Sequence, residues 1–241
     1  MTKIYAELKQ RAFRLIKDQD FLGGHVRIKA RGLSTEEAIG NPEADDFPLQ
    51  QGRERLMQAE FCSGLGQAFT DQYGDFEGTL DEVLGMELNN NYRRALFVAT
   101  LNAVLGHMKR VEKTVHCRDQ EPAQCADELR RHLKSRYGKI KIAQVGFQPR
   151  MVEALAPAFP IRVMDLDPAN VGTTRFGTVI NGTEAVDEAI RWADLLLVTG
   201  TTIVNGTIGQ FLGQKPVLFY GTTIAGPAHF MGWERFCACG R

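Results

Sequence analysis

The ten residues "VTGTTIVNGT" (198–207) follow the apolar run Leu195, Leu196 and Leu197 and replace bulk with small hydrogen-bonding groups. Such a change at the end of a buried strand suits ligand binding, because glycine brings backbone amides close to a bound group. Either Thr201 or Thr202 is expected to cap a helix whose exposed amides face the ligand. Asn205 and Thr207 would add side-chain donors and acceptors. Three other strand ends are expected at the same rim: Gly146-Phe147-Gln148, Asp165-Leu166-Asp167 and Gly221-Thr222-Thr223. The candidate ligand-binding set is Gly146, Asp165, Asp167, Thr199, Gly200, Thr201, Thr202, Asn205, Thr207, Gly221 and Thr222. The structural alternative is plain, since threonine caps and glycine turns occur in most α/β folds without a ligand.

Asp165 stands about 20 residues after Gly146, where dinucleotide-binding folds place the acid that holds a ribose hydroxyl. The glycine fingerprint fails, however, because Phe147, Gln148 and Pro149 follow Gly146. This argues against NAD or FAD and leaves an adenosine-type or pterin-type ligand open. Asp167, before Pro168, reads equally well as a turn-former.

Metal chemistry would need the cysteines. Cys237 and Cys239 are one residue apart, with His229 upstream. Zinc pairs usually leave two to four residues between cysteines, so this is not a zinc-finger spacing. In an extended segment the two thiols share a face and suit a soft transition metal. The alternative is a terminal strand with two small buried residues. His116-Cys117 is a weaker signal. Cys125 falls on a helical apolar stripe and reads as core. No P-loop, nucleophile elbow or His-Glu-x-x-His pattern is present.

The elements that must position these groups fall into two halves joined near Gly138, expected as domains 1–138 and 139–241. In the second half, apolar runs at 140–146, 161–166, 195–200 and 216–221 alternate with helical stretches at 151–156, 184–193 and 203–212. That is a parallel sheet covered on both faces, in a Rossmann-like layout, with a short last strand near 235–238. The first half mixes strands and helices, as an α+β unit does. Ile4, Leu8, Ala12 and Leu15 mark an amphipathic helix. Val26, Ile28 and Ala30 alternate with His25, Arg27 and Lys29 as in a half-buried strand. Phe61, Leu65 and Phe69 suggest one strand whose small residues permit close backbone approach. Residues 92–107 read as a buried helix. Pro122 opens another, which Gly138 ends. Residues 40–52 are the expected mobile loop.

Composition sets the outer bounds. The chain has 241 residues, 44% hydrophobic and 24% charged, with 29 basic and 29 acidic side chains. A net charge of zero gives no general attraction to nucleic acid or anionic membrane. The five scattered cysteines, with no export signal, are expected reduced, which points to the cytoplasm.

The segments "QVGFQP" (144–149), "VMDLDPANVG" (163–172), "ADLLLVTGTTIVNGTI" (193–208) and "VLFYGTT" (217–223) resemble a family of uncharacterised prokaryotic proteins described as putative heavy-metal chelation. The similarity spans roughly residues 139–230. "GLGQAFT" (64–70) and "ATLNAVLG" (99–106) are more loosely similar to that family's N-terminal domain. The resemblance implies a Rossmann-like domain preceded by a smaller α+β domain like the enolase N-terminal fold, with the site in the cleft between them. The ending "GPAHFMGWERFCACGR" matches least, so a metal role for Cys237 and Cys239 is a reading of this chain alone.

These readings together favour a protein that binds a small anionic ligand or metal chelate in the cleft, with Asn102 and Gly66 completing it. An enzyme of cofactor or pterin metabolism using the same pocket is the first alternative. A non-catalytic metal-delivery partner using the terminal cysteines is the second. No catalytic residue is assigned, and self-association stays open.

Overall fold

The structure, a computed structural model, describes residues 3–19, 21–22, 27–43, 45–52 and 54–241. It opens with α1 (Lys3–Lys17), which buries Tyr5, Leu8, Ala12 and Ile16. The buried stripe thus runs through Ile16 rather than Leu15. Next come β1 (Arg27–Gly32), α2 (Thr35–Ile39), α3 (Pro48–Gln51), β2 (Arg55–Phe61), β3 (Gly64–Thr70), β4 (Phe76–Thr79) and α4 (Leu80–Gly85). The strands form an antiparallel sheet in the order β3-β2-β1-β4. His25 and Val26, expected at the start of the first strand, lie outside the described residues.

The single strand expected over Phe61–Phe69 is two. Cys62, at φ 52°, turns the chain so that Phe61 pairs with Gly64, and β2 and β3 form a hairpin. The close approach expected of the small residues is present. A Cβ on Gly66 would stand 2.2 Å from both Ala103 N and Ala99 O of α5 (Asn91–His107).

Helix α5 is buried without interruption from Ala95 to Leu105. A helix apolar on every side must be covered on every side. One face meets the antiparallel sheet. The other meets the parallel half through α9 (Thr202–Asn205) and α10 (Ala225–Met231). A single apolar cluster therefore runs from Tyr5 to Ala228 and takes in both halves.

Asn102, at the centre of α5, is fully buried. Its side-chain amide donates to Gln67 O at 2.9 Å and to Thr222 O and Thr223 O at 3.2 Å. Its carbonyl oxygen accepts from Gly226 N at 2.6 Å. These bonds join β3 of the first half to α10 and the loop before it in the second. Asn102 therefore joins the two halves, Gly66 packs β3 against α5 within the first half, and neither borders the cleft described below.

After α6 (Glu121–Tyr137), capped by Gly138, the second half continues with β5 (Ile142–Val145), α7 (Pro149–Leu155), β6 (Ile161–Met164), β7 (Thr174–Arg175), β8 (Thr178–Asn181) and α8 (Val186–Trp192). It ends with β9 (Leu195–Thr199), α9, β10 (Val217–Tyr220), α10 and β11 (Arg235–Phe236). The sheet order is β11-β10-β9-β5-β6-β8-β7, parallel except for the antiparallel β7–β8 pair. Along the chain from β5, omitting β7, this is the 3-2-1-4-5-6 order of doubly wound sheets. Successive strands are added outward from β5 on one side and from β9 on the other, so a crevice opens at the carboxyl ends of this parallel pair. Among the described residues, no helix is long and apolar enough to cross a membrane.

Segment 40–52, expected as a mobile loop, contains α3 and buries Phe47 and Leu49 against Leu33, Ile39 and Leu56. Asp46 pairs with Arg150 of α7 at 2.6 Å, which ties this segment to the parallel half.

Asn102→Ala removes a group whose every polar atom is used in the interior. Unsatisfied buried partners cost about 1–3 kcal/mol each. The variant is expected to lose more than about 2 kcal/mol in urea unfolding. An unchanged midpoint contradicts the role given to Asn102.

Candidate functional site

The crevice begins where β5 ends. Gly146 adopts φ +91°, and a Cβ there would come within 2.8 Å of Thr199 Cγ2 and 3.0 Å of the Tyr220 hydroxyl. Tyr220 OH lies 2.8 Å from Gly146 O and 3.0 Å from Val145 O, so β10 is bolted to the end of β5 across β9. Burial pushes the Tyr220 phenol well above its ordinary pKa, so it stays a donor.

Asp165 ties the neighbouring ends together. Its carboxylate accepts from Phe147 N at 2.5 Å, Asp167 N at 2.7 Å and Asn170 Nδ2 at 3.4 Å. Asp167 accepts from Ala169 N at 2.9 Å, the bond of the turn-former reading.

The strand-three turn differs from expectation. The helix expected over 203–212 is broken. α9 holds four residues, Gly206 ends it at φ +84°, and a 3-10 turn follows at Ile208–Phe211. Neither threonine caps it with a side chain. Thr201 makes no such bond, and Thr202 Oγ1 donates instead to Thr199 O at 2.7 Å. The amides of Ile203, Val204 and Asn205 are used inside the turn. No array of free amides faces the crevice. The rim is instead lined by hydroxyls. Thr199 and Thr201 hydroxyls lie 3.2 Å apart, and Asn205 Oδ1 accepts from Thr207 Oγ1 at 2.7 Å.

Above these ends lies a cleft of about 1060 Å³. Gly146, Asp165, Asp167, Thr199, Gly200, Thr201, Thr202, Asn205, Thr207, Gly221 and Thr222 all border it. Its opposite wall comes from the first half, with Phe47, Leu49, Glu54, Phe69, Asp71 and His116. The volume is at the upper end for a small-molecule site.

Among the described residues, the charged side chains of the cleft have one sign. Glu54, Asp71, Asp165, Asp167 and Asp187 line it, and no Lys or Arg does among the described residues. Glu54 is partly open to the space but densely surrounded by protein. Burial, followed by the charges of Asp165, Asp71 and Asp167, pushes its carboxyl up to about 7. His116 stacks edge-on against Phe69 at 5.1 Å, and burial lowers its pKa to about 4, so the ring is neutral at pH 7. Thr222 Oγ1 is buried without a hydrogen-bond partner.

The proposed metal set is not assembled. Cys237 borders the cleft, whereas Cys239 and His229 do not. His229 sits on α10 near Arg110. Among the described residues, no three His, Cys, Asp or Glu side chains stand close enough to hold one ion. Sequence reasoning missed Glu54, which no motif marks. Cys125 is buried in the core as expected, and together with Cys117 it also borders the cleft beside Cys237.

Fold and site together define a class: a doubly wound α/β sheet whose crevice at the carboxyl ends of its strands is roofed by an antiparallel sheet and its helices. Residues 131–227 match the sequence model of the family described as "Putative heavy-metal chelation". The chain is also similar to a crystal structure of a protein of unknown function from that family, from Pyrococcus horikoshii. Identity is 18%, with 91% of this chain and 79% of that one covered at a TM-score of 0.54. A second family structure of unknown function, from Desulfitobacterium hafniense, aligns at 13% identity over 73% of this chain and 72% of that one, at a TM-score of 0.49. No curated protein matches the chain.

Glu54 gives a pH test. The unfolded carboxyl titrates near 4.5 and the folded one near 7. Between those values the folded state keeps a proton that the unfolded state has lost, so stability falls as pH rises through the window. Glu54→Gln lacks this loss. Its Tm relative to the native chain should climb from pH 4.5 to 7 and then level off. A difference that does not vary with pH contradicts the assignment.

Proposed function

We propose that the protein binds one small organic molecule or metal chelate in the cleft, and that this ligand presents positive charge or hydrogen-bond donors to it. The observation that carries this reading is the lining: carboxylates and hydroxyls, with no described Lys or Arg. An anionic ligand, the other half of the expectation from sequence, would meet its own sign of charge in a partly dehydrated space. The aromatic wall of Phe47, Phe69 and Phe147 supplies apolar contact, and Thr222 Oγ1 supplies a buried polar atom still without a partner. Five free cysteines accord with work in the reducing cytoplasm. The neutral overall charge gives no reason to expect nucleic acid or membrane as a partner.

The enzyme reading draws support from one residue. Glu54, with a carboxyl titrating near 7 in the cleft, has the property of a general acid or base. On that reading the substrate belongs to the same cationic or donor-rich class.

A thermal-shift panel of nucleosides, nucleotides, pterins, polyamines and metal chelates tests the proposal. A ligand at 100 times its Kd stabilises by about 2.7 kcal/mol. Neutral or cationic compounds should raise Tm, and Glu54→Gln and Asn205→Ala should diminish the rise. A panel in which only the phosphorylated compounds act, or a rise indifferent to both substitutions, overturns it. The enzyme reading adds that Glu54→Gln abolishes turnover of the best hit.

A further inference from the structure

Five carboxylates border the cleft, and among the described residues none of them meets a cation. Glu54 and Asp71 stand on the wall from the first half, Asp165 and Asp167 at the floor, and Asp187 in the first turn of α8. Their hydrogen bonds come from neutral groups. Asp71 accepts from Asn91 Nδ2 at 2.6 Å, and Asp165 and Asp167 accept from backbone amides and from Asn170. The Glu54 carboxyl has no hydrogen-bond partner among the described residues. One step beyond the paired Arg55 and Thr70, the β2–β3 register sets Glu54 opposite Asp71. Like charges so placed destabilise an antiparallel pair. Solvated surface carboxylates need no ligand to explain them. These five instead line a recess that also holds Phe47, Phe69 and Phe147.

Two more polar atoms border the same space without a partner. Thr222 is 1% exposed, and its Oγ1 makes no hydrogen bond, although the hydroxyl of the adjacent Thr223 accepts from Phe69 N at 3.0 Å. The Thr222 carbonyl is spent on Asn102 and on Ala225 N, which leaves the hydroxyl as what this residue offers a ligand. His116 Nδ1 is likewise buried and unpartnered. Buried polar atoms are rarely left so, and donors on a ligand would satisfy them.

The spacing of the acidic set selects the cation. Among the described residues, no three of these carboxylates stand close enough to hold one metal ion. A point charge therefore cannot serve them together, whereas a chain carrying two or more separated ammonium groups can. Its methylenes suit the phenylalanine wall, whose ring faces also attract ammonium groups. We propose that the cleft binds an aliphatic diamine or polyamine, with one ammonium group between Glu54 and Asp71 and another toward Asp165. The inference rests on the cleft being a ligand site, and it narrows the occupant from donor-rich molecules to organic cations with at least two charges.

Calorimetric titration of the full chain with putrescine, spermidine and their uncharged counterpart 1,4-butanediol tests the proposal. At least one amine should bind, about tenfold or more tightly than the diol. Its affinity should fall about tenfold or more in Glu54→Gln and in Asp71→Asn, each with its circular dichroism spectrum kept, and stay unchanged in Glu128→Gln on the exposed side of α6. The charges facing Glu54 are those of Asp165, Asp71 and Asp167, and His116 beside them stays neutral near pH 7. An arriving ammonium group displaces the Glu54 proton, so the native affinity should also rise about tenfold from pH 6 to pH 8, a dependence that Glu54→Gln loses. Amines that bind no better than the diol, that bind both cleft variants as well as the native chain, or whose affinity ignores pH overturn the proposal. If neutral nucleosides or pterins still raise Tm in that case, the cleft remains a ligand site and only its cationic occupant is wrong.

Discussion

A single asparagine amide, placed where water cannot reach it, fixes the relation between the two sheets. Asn102 sits in a helix otherwise buried in apolar contacts, where an unpaired polar group would cost several kcal/mol. Its four bonds run to β3 on one side and, on the other, to the loop between β10 and α10 and to α10 itself. The approach of β3 to α5 leaves no room for a Cβ at Gly66, so the distance between sheet and helix is set as well. The cleft depends on this arrangement, since one wall belongs to the first half and its floor to the second.

At the floor, most polar groups serve the protein first. Asp165 holds two strand-end loops through their amides, Asp167 closes a turn, and Asn205 is engaged by Thr207. This accounts for residues that look like ligand contacts in the sequence. They are the fittings that let four strand ends finish side by side. What they leave for a ligand is a rim of hydroxyls and carboxylates, with Glu54 at the centre of the opposing charge.

The parallel strands were legible because each is an apolar run closed by glycine or a polar turn. Helices α5 and α6 were legible by apolar content and by Pro122 and Gly138. Three features escaped for local reasons. The β7–β8 hairpin is too short and polar to show a period, with Val179 exposed and Ile180 the one buried side chain. The break at Gly206 hides inside a helical spacing that Ile203, Val204, Ile208 and Phe211 still satisfy. The hairpin at Cys62 escaped because a four-residue repeat of Phe and Leu continues across the turn. The site was legible on its sheet side, where strand ends announce themselves. Glu54 and the Cys117–Cys125 pair were not, because only the fold brings them to the cleft.

If α5 and Asn102 make one cooperative unit of the two sheets, heating should melt the cleft and the core together. Differential scanning calorimetry of the full chain tests this most directly. The structure predicts one transition whose calorimetric and van't Hoff enthalpies agree. Two resolved transitions, one per sheet, would contradict it.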